Sequence, residues 1–554
     1  MVHGDGRGAA AYGLPRGVVM TRGTSARTQD IAATHDPAAA QAIKLAEPLI
    51  PGGRVEALMG VLIRALKASP LARPLPAVSL SVLGLGLLAF TGLCATAPRA
   101  SGATLPVLLP LTALAHHLGA PILHGDATNV IMYTGITLCC LGLAGMLWAN
   151  SRGWCPSPRK VFWTVAAVVA VIVNITPVGT SDPASYASYG HIAALGHNPY
   201  TYLPADLPGG VHNPYTALVD PRWRTTPSVY GPVATWTHLA AALVGGSRPW
   251  LTIWALMIMT GIAFLAAGYL LLRSAANPAR ASLIWTANPL LIYLLVMGAQ
   301  LDAFLALAGI AAILISRRGT TIWHNLAVGL LIGVALGIKI SAVFVALGIA
   351  VPLIRERAWV RLLCTGTAAA TAALGLYLFS YGPSALRPLL TASGRVVSPS
   401  LWRLFQIIGD HLDPAHPSAT LTLIGILWPP LMLALAWYLY NRLPPDVPTV
   451  LAATCALTLA WVLVAPWSLP WYTALAWVTL ALLPRSSLSR WLTLATLVPA
   501  MLHFSGGHPG NHPSLSLAMR PEQDQYRAWA GEACGLTLGE RTTMHPLIAP
   551  SAEC

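Results

Sequence analysis

The chain has 554 residues, of which 55% are hydrophobic and only 9% charged, and its mean hydropathy is +0.62. Soluble domains carry far more charge on their surfaces, so this composition excludes them and indicates an all-α polytopic membrane protein. The net charge of +14 does not require a nucleic-acid partner, because membrane topology and anionic lipid account for where the basic residues lie.

Residues 1–77 are predicted to form a cytoplasmic leader. The segment holds nine Lys and Arg residues and begins with a polar stretch that is typical of disorder. Its second half, which includes RVEALMGVLIRALKAS, places apolar residues on one helical face and favours a cationic helix on the inner leaflet. No cleavable signal peptide is expected, since the first apolar run starts only after this leader.

Residues 78–505 are predicted to form the membrane domain, because a span needs roughly 20 mostly apolar residues. The candidate spans are 78–97, 127–149, 161–178, 250–272, 281–298, 300–316, 321–338, 340–354, 361–380, 418–441, 448–465, 471–484 and 489–505. The run PVATWTHLAAALVGG is short and interrupted, and we interpret it as an interfacial or re-entrant helix.

The positive-inside rule predicts the orientation of these spans in a plasma membrane. The short loops on the side of the leader carry most of the remaining Lys and Arg residues. The long segments 98–126, 179–249 and 381–417 are then external, as is the tail 506–554. In this tail Cys534 and Cys554 could form a disulfide or remain free thiols.

The external segment 179–249 is the richest in polar and aromatic groups. Its amides, hydroxyls and rings suit a sugar, and its arginines suit phosphate. The candidate residues for contact with a sugar or acceptor are Tyr186, Tyr189, His191, His197, Tyr200 and Tyr230, and those for phosphate are Arg222 and Arg224. Asp182 stands at the start of the segment, where it could be a helix N-cap, a catalytic base, or both.

Two further ionisable residues interrupt apolar runs, where charge is costly and usually functional. Asp302 and the neighbouring Gln300 lie between two spans, although Asp302 could merely cap a helix. Lys339 is the only lysine after residue 160 and is expected to pair with an anion such as a lipid phosphate. The alternative is that Lys339 snorkels to the interface without a function.

The remaining candidates are external arginines and aromatics. Arg395 and Arg403 break the charge asymmetry, which favours a functional role, and their guanidinium groups suit a phosphate. Trp471 and Tyr472 are predicted to contact the sugar or acceptor, although interfacial belts hold such rings without any site. No P-loop, nucleophile elbow, zinc-protease or dinucleotide motif is present, and no metal or other cofactor is expected.

Taken together, several stretches resemble one family. They are SYASYGHIAALGHNPYTYLPADLPGG, WRTTPSVYGP, NPLLIYLLVMGAQLDAFLAL, GIKISAVFVAL and PWSLPWYTALAW. In this order they are similar to the actinobacterial polyprenol-phosphomannose-dependent α-1,6-mannosyltransferases, over residues 80 to 505. One difference is that the family segment before the second aspartate reads Gly-Xaa-His-Asn-Asp, whereas this chain has Gly298, Ala299, Gln300, Leu301 and Asp302.

The resemblance implies a GT-C membrane fold and an inverting transfer of mannose on the outer face. The implied donor is polyprenyl-phosphate-mannose, the acceptor is a lipid-anchored α-1,6-mannan of the lipomannan type, and Asp182 matches the position of the catalytic base. Two alternatives stay open: a transporter or flippase of a lipid-linked sugar, and a GT-C enzyme of other sugar or linkage specificity. The absence of an internal repeat and the gathering of polar groups on one side disfavour the transporter.

Overall fold

The computed structural model describes residues 73–94, 109–121, 123, 125–386, 396, 400–413, 416–484, 488, 492–493 and 495–497. All regular elements in these residues are helical, which confirms an all-α polytopic membrane protein. The leader before residue 73, the tail 506–554 and both of its cysteines lie outside the described residues. The division into leader, membrane domain and tail therefore stays a prediction.

The α-helices, numbered in chain order, follow. They are α1 Pro74–Leu93, α2 Pro110–His117, α3 Gly125–Ser151, α4 Pro158–Ile172, α5 Asp182–Ala194, α6 Pro214–Leu218, α7 Pro232–Gly245, α8 Pro249–Ser274, α9 Pro278–Ile284, α10 Pro289–Leu291, α11 Asp302–Ser316, α12 Ile322–Ile338, α13 Val343–Arg355, α14 Trp359–Tyr381, α15 Leu401–Leu412, α16 Pro417–Asn441, α17 Thr449–Val464 and α18 Ala474–Leu482.

Five helices in the described part of the chain are long and apolar enough to cross a membrane. They are α1, α3, α8, α14 and α16. The shorter apolar helices are α11, α12, α17 and the segment Ile340–Arg355, which contains α13. The predicted count of thirteen spans is not confirmed, because several apolar runs are interrupted. The short run at 232–246 does form a helix, α7, of 14 residues.

The predicted span 281–298 shows why the apolar runs break. Asn288 has an extended backbone because Pro289 follows it and disfavours a helical conformation there. The two parts of the run, Pro278–Ile284 and Pro289–Met297, are therefore bent by 42°. The second part continues as a π-helix, Ile292–Met297, and such π turns are often found at functional sites.

Small residues let neighbouring helices approach closely, as is common in membranes. A Cβ at Gly84 of α1 would lie 2.7 Å from the carbonyl oxygen of Gly135 in α3. A Cβ at Gly329 of α12 would lie 2.6 Å from the Cβ of Ala368 in α14. Substitutions at either glycine would therefore push the helix pair apart.

The same kind of contact fixes the helices that surround the polar residues. A Cβ at Gly190 of α5 would collide with the carbonyl oxygen of His238 in α7. The turn before α7 is tied to the end of α12, because the Gly231 N–H donates to the Ile338 carbonyl at 3.1 Å. These contacts bring the start of α5 and the residue after α12, Lys339, to the same region.

Candidate active site

Asp182 is the first residue of α5 and lies half-buried. Ser181 occupies the N-cap position, so the Asp182 carboxylate is not the cap of this helix. The Asp182 N–H donates instead to Thr180 Oγ1 at 3.1 Å. The helix dipole favours a negative charge at this position, and the carboxylate is left available for other contacts.

The Gln300 and Tyr186 side chains hold the Asp182 carboxylate. Gln300 Nε2 donates to Asp182 Oδ2 at 2.9 Å, and the Tyr186 hydroxyl lies 3.3 Å from the same oxygen. The Tyr186 hydroxyl also lies 3.0 Å from Gln300 Oε1, which closes a triangle of polar contacts. Gln300 is fully buried, so its amide has a fixed set of partners rather than solvent.

The backbone that presents Gln300 is strained. Ala299 has a φ of 48°, a left-handed conformation that costs a non-glycine residue about 1–2 kcal/mol. It follows directly on the π-helix and Gly298. Strain of this kind collects where a side chain must be held in one orientation, and here it aims the Gln300 amide at Asp182.

Lys339 pairs with Asp302. The Lys339 Nζ lies 2.9 Å from Asp302 Oδ2, and the two side chains are only 12% and 1% exposed. The ammonium also lies 3.7 Å from the ring centroid of Tyr472. Lys339 therefore does not snorkel toward water, and Asp302 is an ion-pair partner at the first residue of α11 rather than a simple cap.

The polar residues around Asp182 and the Lys339–Asp302 ion pair interact electrostatically. Asp182 interacts with Lys339 and with Asp302, so two carboxylates and one ammonium share one region. Burial raises the pKa of Asp182, and the hydrogen bond from Gln300 and the charge of Lys339 partly offset this rise. A carboxylate with a raised pKa is a stronger base than an exposed aspartate.

An aromatic group lies against Asp182. Tyr186 stacks on His238, with ring centroids 4.7 Å apart and planes 11° apart. The edge of Tyr230 meets the Tyr186 ring at a centroid distance of 5.0 Å. Sequence reasoning missed His238, and its only signal was a histidine in the otherwise apolar run of α7.

The sequence range that contains these residues matches a family of known proteins. The family model described as "Alpha-(1->6)-mannopyranosyltransferase, N-terminal domain" matches residues 78–355, half of the chain. The chain belongs to this family. The matched range contains Asp182, Gln300, Asp302 and Lys339, whereas Tyr472 lies beyond it.

Two members of the family are similar over shorter segments. Alpha-(1->6)-mannopyranosyltransferase A of Corynebacterium glutamicum is 32% identical over 139 residues, which are 24% of this chain and 28% of that protein. A probable alpha-(1->6)-mannopyranosyltransferase of Mycolicibacterium smegmatis is 28% identical over 149 residues, or 26% of each chain. The chain thus matches less than a third of the length of either relative. No solved structure matches the chain.

The other tyrosines predicted to contact a sugar support the loop before α7. The Tyr189 hydroxyl donates to the Thr226 carbonyl at 2.9 Å. The Tyr200 hydroxyl donates to the Tyr230 carbonyl at 2.7 Å. These two tyrosines therefore hold the backbone on either side of Ser228, and their contact with a sugar stays a prediction.

The predicted histidines stack on rings of their own segment. His191 lies parallel to Tyr215 at 4.0 Å, and the exposed His197 lies parallel to Tyr202 at 4.2 Å. The structure brings neither ring into the contacts of Asp182 described above. Their predicted role in sugar binding is not tested by this arrangement.

Two of the arginines predicted to bind phosphate, Arg224 and Arg403, donate hydrogen bonds to nearby residues. Arg224 donates to the carbonyls of Val219 and Ala217 at 3.0 and 3.3 Å, and so braces its own loop. Arg403 is buried, and its Nη1 donates to Gln406 Oε1 at 2.8 Å. Arg395 and the side chain of Arg222 lie outside the described residues. A phosphate-binding role for these arginines stays a prediction.

The two aromatics after α17 meet the site through Tyr472. The ring of Tyr472 lies under the Lys339 ammonium and also stacks on Trp461, with ring centroids 5.3 Å apart and planes 11° apart. Trp471 is buried and meets Tyr472 edge-on at 6.5 Å. Tyr472 therefore lies in the charged cluster formed by Asp182, Asp302 and Lys339, whereas Trp471 packs against Tyr472.

Proposed function

We propose that this protein is an inverting α-1,6-mannosyltransferase that uses Asp182 as its general base. The supporting observation is the Asp182 carboxylate, half-buried at the first residue of α5 and held by Gln300 and Tyr186. Membership of the mannopyranosyltransferase family supports the sugar and the linkage. The nearby Lys339 supplies the positive charge that a phosphate leaving group requires.

The reaction we propose is a single displacement on the anomeric carbon of mannose. The 6-hydroxyl of the acceptor attacks this carbon while its proton moves to a carboxylate oxygen of Asp182. The bond between the anomeric carbon and the phosphate oxygen breaks, and its electron pair leaves with the phosphate. Proton acceptance by a placed base contributes typically 10²- to 10⁴-fold to such a rate.

The donor we propose is a polyprenyl-phosphate-mannose. Negative charge grows on the phosphate as it leaves, and a fixed cation stabilises that charge preferentially in the transition state. Lys339 is the candidate for this role, because its ammonium lies in the same cluster as Asp182. The prenyl chain would enter laterally from the bilayer, which already solvates it.

The acceptor we propose is a lipid-anchored α-1,6-mannan on the outer face of the plasma membrane. This location follows from the charge asymmetry of the sequence, which puts the leader in the cytoplasm and the segment 179–249 outside. Donor and acceptor would then both be anchored in the bilayer beside the start of α5. Membrane lipids are the remaining partners.

The test is mannose transfer from a labelled polyprenyl-phosphate-mannose to a mannan acceptor, with the protein reconstituted in lipid vesicles. Asp182→Asn should abolish transfer, because an amide cannot accept the proton. The matched control is Asp206→Asn in the same segment, where the exposed carboxylate accepts the Leu203 N–H and an amide oxygen can replace it. This control should retain full activity.

Linkage analysis of the product should show new α-1,6 bonds. Full transfer by Asp182→Asn would remove Asp182 as the base. Movement of the intact labelled lipid across the vesicle membrane, without any new glycosidic bond, would instead identify a flippase.

A further inference from the structure

His238 occupies an unusual position beside the proposed base. Its imidazole is fully buried, and within the described residues neither Nδ1 nor Nε2 has a hydrogen-bond partner. An unsatisfied buried polar atom costs about 1–3 kcal/mol, so an apolar side chain would be more stable at a position that only fills space. Since neither nitrogen makes a hydrogen bond in this part of the chain, the reason for a ring at this position must be its charge or its shape.

The charge of His238 does not supply that reason. Burial lowers the pKa of His238 to about 3, so the imidazole is neutral at physiological pH. A neutral ring neither attracts nor repels the Asp182 carboxylate to any large extent. The feature of the ring that its neighbours contact is its flat face.

That face is parallel to Tyr186. The two rings lie 4.7 Å apart and 11° from parallel, while Tyr230 meets both of them edge-on, at 88° in each case. The His238 backbone is itself fixed, because its carbonyl lies against Gly190, one helical turn after Tyr186. The plane of Tyr186 is thus set from two directions by residues outside its own helix.

The plane of Tyr186 decides where its hydroxyl proton points. The hydroxyl lies 3.3 Å from Asp182 Oδ2 and 3.0 Å from Gln300 Oε1, and it has a single proton to share between them. A small tilt of the ring would lengthen one of these contacts and shorten the other. The support of the Asp182 carboxylate by Tyr186 therefore depends on what holds the ring.

We infer that His238 is a positioning residue, which acts through the face of its ring by holding Tyr186 in the orientation that supports Asp182. This inference rests on the proposed function of Asp182 as a base. It assigns no contact between His238 and the substrate. It makes the orientation of Tyr186, and hence the behaviour of Asp182, depend on a residue of α7.

The experiment compares three substitutions in the full-length protein in vesicles. His238→Phe keeps a flat ring but removes both nitrogens. His238→Leu fills the space without a flat face, and His238→Gln keeps a polar group without a ring. Rates are measured per mole of monodisperse protein, over a range of pH and of polyprenyl-phosphate-mannose concentration.

We expect His238→Phe to retain the wild-type rate. His238→Leu and His238→Gln should lower kcat by roughly tenfold, since misplacement of a supporting group by a fraction of an ångström has effects of this size. Their KM for the donor should not change, because Lys339 is unaltered. In a Tyr186→Phe background, which lacks the hydroxyl, His238→Leu should have little further effect.

The pH dependence of the rate distinguishes positioning from a general loss of stability, because a loss of stability alone would not shift the pKa of Asp182. Loss of the Tyr186 hydrogen bond raises the pKa of Asp182, so the acid limb should shift to higher pH in His238→Leu and His238→Gln. The other groups that face Asp182 include Thr180, Gln300, Lys339, Asp302, Tyr230 and Tyr472, all unchanged in these variants.

Two results would overturn the inference. One is a His238→Phe variant as slow as His238→Leu, since the nitrogens and not the ring would then matter. The other is a His238→Leu variant with the wild-type rate and pH profile. Transfer by the wild type and its loss in Asp182→Asn are measured first, so a failure of the proposed function would be seen separately.

Discussion

Gln300 donates a hydrogen bond of 2.9 Å to Asp182 across 118 residues of the chain. The contact joins the first turn of α5 to the strained segment between the π-helix and α11. The resemblance drawn from the sequence implies a histidine at this position in the family, and a histidine can donate a hydrogen bond as an amide does. The difference from the family pattern therefore preserves a donor toward the proposed base.

Removal of this donor should change the pH dependence of transfer. The hydrogen bond from Gln300 lowers the pKa of Asp182 against the larger effect of burial, which raises it. Asp182 must be ionised to accept a proton, so the rate falls as pH drops through its pKa. Gln300→Leu should raise that pKa further and move the acid limb of kcat to higher pH, as measured in the vesicle transfer assay.

Gln300→His is the matched control for this prediction. It retains a hydrogen-bond donor toward Asp182, and the acid limb should stay close to that of the wild type. An unchanged acid limb in Gln300→Leu would mean that the amide does not influence the group that controls the rate.

The sequence predicted the apolar helices well where their ends carry local signals. Helix α12 begins within one residue of the predicted span 321–338, because Thr321 caps it by accepting the His324 N–H. The span 281–298 was wrong as a single helix, although Asn288–Pro289 gives the reason for its break. The predicted span 489–505 lies largely outside the described residues.

The sequence predicts which types of residue form the site around Asp182, but it does not predict which of them contact one another. Asp182, Asp302 and Lys339 stand out because ionisable groups are rare in or beside apolar runs. Their partners come from distant segments, and no periodicity in the sequence encodes which segments meet. His238 was missed because a neutral ring in an apolar helix looks like any packed side chain, and only its stacking on Tyr186 distinguishes it.

The strain at Ala299 gives a prediction about stability. Glycine adopts a φ of 48° without the steric cost that alanine has, although it also increases the entropy of the unfolded chain. Ala299→Gly should therefore raise the free energy of unfolding by about 1 kcal/mol or less. Ala299→Val should lower it by more than 1 kcal/mol, because a β-branched residue is a greater outlier in this region.

Arg357 provides the control for Ala299. It has a φ of 54° but is exposed and follows α13, away from the contacts of Gln300. Arg357→Gly should change stability in the same direction without altering transfer. Ala299→Val should in addition slow transfer, since it disturbs the residue before Gln300, and equal transfer rates in the two variants would contradict this role of the strained segment. Stability is measured by denaturant unfolding in detergent.

Variants of the Lys339–Asp302 ion pair can separate the effect of Lys339 on the stability of the protein from its effect on donor binding. Removal of one partner leaves a buried charge without compensation, which typically costs about 3–5 kcal/mol. Lys339→Met should therefore lower both the unfolding temperature and the use of the donor. Since an amide carries no charge, Asp302→Asn combined with Lys339→Met should restore much of the lost stability.

The same double variant decides whether Lys339 binds the donor phosphate. If the ammonium serves the phosphate, the stabilised double variant should still show a strongly raised KM for polyprenyl-phosphate-mannose, because no other change replaces its charge. If Lys339 only neutralises Asp302, donor KM and stability should recover together, and the phosphate role would be lost. Asp302→Asn alone is the remaining comparison: it keeps the ammonium over Tyr472 and frees it from its carboxylate, so its donor KM should be no higher than that of the wild type.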